Sequence, residues 1–144
     1  MKALRRYWPS GLTLAVVLWL TIAPQPLPDI DIPAFEGLDK LVHAVMMGGL
    51  AGAVMFDYRR AGHWNLRKSD AGRQHLLTPG VITSICVCVA MFSALDEWAQ
   101  GALGMGRSSD FYDWVADAAG IAIAAFTAPC AINRLLGGRH GHRP

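Results

Sequence analysis

The chain has 144 residues, 53% of them apolar, with a mean hydropathy of +0.29. That is too hydrophobic for an ordinary soluble domain, and the length suits one helical bundle in a membrane with no room for a second domain, so residues 1–144 are read as a single unit. The net charge of +2 says little by itself, because the information lies in how the charges are sorted along the chain.

Four apolar segments follow one another, and they predict an all-α integral membrane bundle with helices near 8–24, 39–58, 79–100 and 111–133. The first runs from Trp8 to Ala23 and is closed by Pro24-x-Pro26-x-Pro28. Lys2, Arg5 and Arg6 ahead of it also fit a cleaved signal peptide, but Pro24 directly after Thr21-Ile22-Ala23 opposes cleavage and favours a retained helix. The second segment, Leu41 to Phe56, follows Asp39-Lys40 and stops at Asp57-Tyr58-Arg59-Arg60. The third, Gly80 to Leu95, follows Thr78-Pro79, and proline is well tolerated in a first helical turn. The fourth, Ala118 to Ile132, ends at Asn133-Arg134, and residues 137–144 read as a flexible tail. Each uninterrupted core falls short of the ~20 residues of a span and must draw in its polar flanks, which sets those flanks at the membrane boundary. Cys86, Cys88 and Cys130 suggest no disulfide framework and read as small apolar packing residues.

Lysine and arginine set the expected orientation. Eleven of the 13 lie in the N-terminal flank, the middle loop (Arg59 to Arg73) and the C-terminal flank, leaving only Lys40 and Arg107 on the other side. The positive-inside rule then places both termini and the middle loop in the cytoplasm. A basic cytoplasmic loop explains Arg59 to Arg73 without any nucleic-acid partner.

The remaining polar residues converge. At ~1.5 Å per residue, Asp117 and Asp113 lie about 24 and 30 Å from Asn133, Glu97 about 27 Å from Pro79, and His43 about 21 Å from Asp57. Against a hydrocarbon thickness of about 30 Å, three helices bring polar groups to one level in or just under the outer boundary. Asp39 and Lys40 share a flank with His43 at i, i+4 and i, i+3, while Ser93, Glu97 and Gln100 share a face of the third helix. In the fourth, Asp113, Ala116, Asp117, Gly120 and Ala124 form a stripe that is polar at one end and small below; Ala44-x-x-x-Gly48-x-x-x-Gly52 is a second small stripe. Such stripes mark close helix packing in membranes, so the carboxylates are expected to face the bundle interior. A structural reading has Glu97 and Arg107 as a buried pair fixing a helix hairpin, His43 as a hydrogen-bonded structural histidine, and Gly101, Gly104 and Gly106 as a turn. Against it, six carboxylates (Asp39, Asp96, Glu97, Asp110, Asp113 and Asp117) face only Lys40 and Arg107, so some must be protonated, solvated or bound to a cation.

Asp39-Lys40-x-x-His43 resembles the first motif of the VanZ-like family of small bacterial membrane proteins. Glu97-x-x-Gln100, followed by Arg107, Asp113 and Gly120, resembles its second, longer motif. The resemblance covers roughly residues 38 to 121 and implies a multi-pass protein of the bacterial inner (cytoplasmic) membrane. The founding member of that family is associated with low-level teicoplanin resistance. This chain departs from the pattern at Asp117, where the family usually has Asn, and at Met47, where an aromatic residue is common.

The candidate pocket comprises Asp39, Lys40, His43, Glu97, Gln100, Arg107, Asp110, Asp113 and Asp117. A non-enzymatic role in binding a lipid-linked cell-wall component, an envelope-active glycopeptide or another membrane protein is favoured, with no cofactor required. The alternative is a membrane-embedded enzyme acting on a lipid or cell-wall precursor head group. In that case His43, Glu97, Asp113 and Asp117 would hold a divalent metal or perform acid–base chemistry. A transporter or proton relay is weaker, because the inner halves of the helices lack ionisable residues.

Overall fold

Local chemistry defines where each helix begins. In the computed structural model, which describes residues 7–22, 37–65, 77–103 and 110–137, the helices are α1 Trp8–Ile22, α2 Leu38–Asn65, α3 Pro79–Leu103 and α4 Phe111–Gly137. Gly37, at φ 98°, turns the chain into α2 and its carbonyl accepts the Leu41 N–H. Thr78 caps α3 through both its hydroxyl and its carbonyl, with Pro79 at the first helical position. Asp110 caps α4: its carboxylate accepts the Tyr112 N–H at 2.9 Å and its carbonyl the Asp113 N–H at 3.0 Å. Hydroxyls inside the apolar helices satisfy themselves on carbonyls one turn back, as Thr13 does on Pro9, Ser84 on Gly80 and Thr127 on Ile123.

Among the described residues, three helices are long and apolar enough to cross a membrane: Leu38–Ala61, Pro79–Ala102 and Phe111–Leu136. They reach 24, 24 and 26 residues by including their polar flanks. The 15-residue α1 is apolar but shorter, about 22 Å long. No strand occurs among the described residues. The expected end of the second helix near residue 58 is corrected, because α2 continues to Asn65. Asp57-Tyr58-Arg59-Arg60 ends the apolar run but contains no helix breaker. Gly101, expected in a turn, is helical and belongs to the last turn of α3. The tail beyond Gly137 lies outside the described residues.

The helices alternate in direction. The starts of α2 and α4 meet at one end of the bundle, where His43 pairs with Asp117, and Arg59 meets Asn133 towards the other end. These two helices are therefore parallel neighbours. Their small stripes face each other: a Cβ on Gly48 would lie 2.7 Å from the Gly120 carbonyl oxygen, and a Cβ on Gly120 would collide with the Ala44 backbone. Further along, Gly52 approaches Ala128. Small side chains thus let two backbones approach closely. α1 runs the opposite way, packing on α2 and held by Ser10 to Asp57 at one end and by Thr21 to Asp96 at the other. α3 packs against α4 and α2. Val17, Met47, Leu50, Ala51, Val89, Ile121 and Ala124 form the buried apolar core.

Large apolar side chains point outward along the bundle, among them Val45, Val87, Met91, Ile123 and Phe126. Apart from Phe126, the exposed aromatic residues among those described gather towards its ends: Trp19, Trp98, Phe111 and Tyr112 at the end carrying His43, and Tyr7 and Trp8 at the other.

Candidate functional site

The first turns of α2 and α4 and the last turns of α1 and α3 enclose a polar cluster at one end of the bundle. α2 supplies Asp39, Lys40 and His43 on one flank, and α4 supplies Asp113 and Asp117 one turn apart. The close approach of Ala44 and Gly48 to Gly120 brings these two sets together. Lys40 Nζ bridges Asp110 Oδ2 at 3.2 Å and Asp113 Oδ1 at 3.1 Å. His43 Nδ1 lies 3.2 Å from Asp117 Oδ1, and its Nε2 lies 4.0 Å from Asp113 Oδ2. The Ser93 hydroxyl donates to Asp117 Oδ2 at 2.5 Å, so one buried carboxylate joins three helices. His43, Ser93, Asp96, Glu97, Gln100, Asp113 and Asp117 are all buried, while Asp39 stands exposed at the rim.

On α3, Glu97 Oε1 accepts the backbone N–H of Asp110 at 2.6 Å and so ties α3 to the cap of α4. Its other oxygen is buried and has no hydrogen-bond partner among the described residues. The expected Glu97–Arg107 pair falls on Arg107, which lies outside the described residues. Asp96 points towards α1: Oδ1 accepts from the Thr21 hydroxyl at 3.1 Å and Oδ2 from Gln100 at 3.2 Å. At the rim, the Tyr112 N–H, followed by the Lys40 ammonium, holds the Asp110 carboxyl below the usual carboxylate range.

Eight of the nine candidate pocket residues thus gather in one cluster. Thr21 and Ser93 were not among the candidates, nor was Asp96, which the sequence offers only as one of six carboxylates. Ser93 shares a helical face with Glu97, which is a usable signal. Thr21 gives none, because its hydroxyl also bonds the Val17 carbonyl like any threonine in an apolar helix.

Chemically, the cluster has two distinct parts. His43 offers an imidazole fixed by a carboxylate behind it, facing Asp113 and Asp39. One ligand atom from each of Asp39, His43 and Asp113 lies within 4.8 Å of the others. The hydroxyl of Ser93 sits beside a carboxylate base, but the residue is 1% exposed and closed to a substrate. Compared with family models, curated proteins and solved structures, the chain matches none of them.

Proposed function

We propose that this chain is a VanZ-like, multi-pass protein of the bacterial inner membrane with four spanning helices and both termini in the cytoplasm. Its polar cluster faces outward and serves a non-enzymatic binding role in the cell envelope, of the kind that lowers susceptibility to teicoplanin-type glycopeptides. One observation carries the reading: among the described residues, eight of the nine buried polar side chains, drawn from all four helices, are gathered at one end of the bundle, with Asp57 alone at the other. Desolvating so many charged groups is costly, and a fold that only needed packing would not place them there. The aromatic residues exposed near both ends suit the two membrane interfaces. The start of α1 and the end of α4 share the end opposite the cluster, as the proposed topology requires.

Reporter fusions at Asp31 and Ser108 are expected to read exterior, and a fusion at Lys68 interior. Expression of the chain in a susceptible bacterium is expected to raise the inhibitory concentration of a teicoplanin-type glycopeptide, and Asp113→Asn to remove that gain. A cytoplasmic Ser108 overturns the outward pocket. An inserted, correctly oriented protein that leaves susceptibility unchanged overturns the glycopeptide role.

The second reading is an enzyme acting on a lipid or cell-wall precursor head group. It is favoured by the buried His43–Asp117 pair, the carboxylate-oriented imidazole that acid–base catalysis uses.

A further inference from the structure

We infer that Asp39, His43 and Asp113 bind one divalent transition-metal ion, with Asp117 orienting the imidazole; the inference rests on the reading of this cluster as a binding pocket. The donor atoms already converge within 4.8 Å of one another from two helices. Two ligands held at about 2.1 Å from one ion at tetrahedral or right angles lie about 3–3.5 Å apart. The 4.0 Å between His43 Nε2 and Asp113 Oδ2 needs to close by only about half an ångström. Asp39, exposed at the rim, is free to complete the set.

The surroundings separate ligands from supports. Metal-bound histidines characteristically donate their second N–H to a carboxylate, which fixes the tautomer and ring angle. Asp117 takes that place at Nδ1, is itself held by Ser93, and leaves Nε2 to carry the lone pair towards Asp113. The two oxygens of Asp113 are divided, Oδ1 to Lys40 and Oδ2 towards His43, so the lysine does not occupy the ligand position. Glu97 adds an independent observation. It is 7% exposed, and its Oε2 has no hydrogen-bond partner among the described residues. A bare carboxylate oxygen in a pocket crowded with other carboxylates calls for positive charge nearby. Lys40 is the only lysine or arginine among the described residues of the cluster. Two carboxylates and one imidazole suit Mn2+ or Zn2+ better than Ca2+ or Cu+, and three protein ligands leave positions open for an oxygen ligand entering at the rim.

The test uses the full-length protein in detergent, carrying His140→Ala and His142→Ala so that the histidine-bearing tail does not contribute. Mn2+ is titrated and followed by electron paramagnetic resonance, with pulsed measurements to detect coupling to an imidazole nitrogen. One ion per chain with nitrogen coupling is expected, and His43→Gln is expected to abolish the coupling. Asp39→Asn, at an exposed position that leaves the fold intact, is expected to weaken binding ~10-fold or more, and Asp117→Asn by ~10–100-fold. Lys40→Met, which removes a neighbouring cation, is expected to tighten it. Binding without nitrogen coupling, an Asp39→Asn titration that overlays the parent, or no bound Mn2+ overturns the site. Such a result leaves the fusion and glycopeptide measurements unaffected, so failure here and failure of the binding reading are told apart.

Discussion

Gly48 and Gly120 face each other across α2 and α4 with no space for a methyl group between them. A Cβ added at Gly48 would stand 2.7 Å from the Gly120 carbonyl oxygen, and one added at Gly120 would run into the carbonyl group of Ala44. His43 and Asp117 lie on the same two helices one turn nearer the polar end, so the spacing set by the glycines also sets the distance across the site.

The first prediction follows from that contact. Gly120→Ala meets backbone, which cannot swing aside, so it is expected to cost at least the ~1–3 kcal/mol of an overpacked core. Gly49→Ala, one residue from Gly48 but with nothing among the described residues within 4 Å of an added Cβ, is expected to be neutral or to stabilise by up to ~1 kcal/mol through helix propensity. Unfolding in detergent measures both. Equal effects at the two positions would show that the helices do not meet at Gly120.

Asp57 is 1% exposed, and its Oδ2 accepts from both the N–H of Ser10 at 2.9 Å and its hydroxyl at 2.6 Å. It therefore caps the start of α1 from another helix. Asp57→Ala is expected to cost about 0.5–2 kcal/mol, the usual range for a lost cap, and to increase hydrogen exchange in the first turn of α1. Unchanged exchange there would mean that α1 is held by its apolar face alone.

Asp117 separates hydrogen bonding from charge. In Asp117→Asn the amide oxygen can still accept from His43 and the amide nitrogen can donate to the rotatable Ser93 hydroxyl, so the fold is expected to persist. Asp117→Leu strands both partners, at about 1–3 kcal/mol for each unsatisfied group, and is expected to lower thermal stability sharply. Equal melting temperatures for the two variants would contradict the contacts of Asp117.

The acid limb of stability carries a further expectation. The folded-state pKa of Asp110 is depressed, so its contribution is present above the unfolded-state value and lost as pH falls through the folded one. Asp110→Asn is expected to lower stability near neutrality and to flatten the pH dependence below about pH 4. The change is small, because the side chain is 41% exposed. An unaltered acid limb in the variant would assign that dependence to other carboxylates.

Much of this arrangement is legible from periodicity alone. The i, i+4 spacing of Asp39 with His43 and of Asp113 with Asp117, and the small residues continuing both stripes, already point the carboxylates into the bundle interior, although they do not show that the two stripes face each other. The partners supplied by α1 are not legible. Thr21 meets Asp96 and Ser10 meets Asp57 across 75 and 47 residues, and either hydroxyl can satisfy itself within its own helix. The end of α2 is misread for a different reason: hydropathy reports where lipid contact stops, whereas the helix continues on backbone hydrogen bonds that charged residues do not disturb.

The close backbone approach of α2 to α4, the last helix in the chain, has a consequence for biogenesis. The close contact of Ala44 and Gly48 with Gly120 cannot form until Gly120 has been synthesised, and His43 cannot meet Asp117, nor Lys40 meet Asp113, until α4 is under way. A nascent chain that stops short of Asp110 therefore exposes the small stripe of α2 and leaves Lys40 without Asp110 and Asp113, and His43 without Asp117. Completion of the last helix closes the seam and creates the site in the same event.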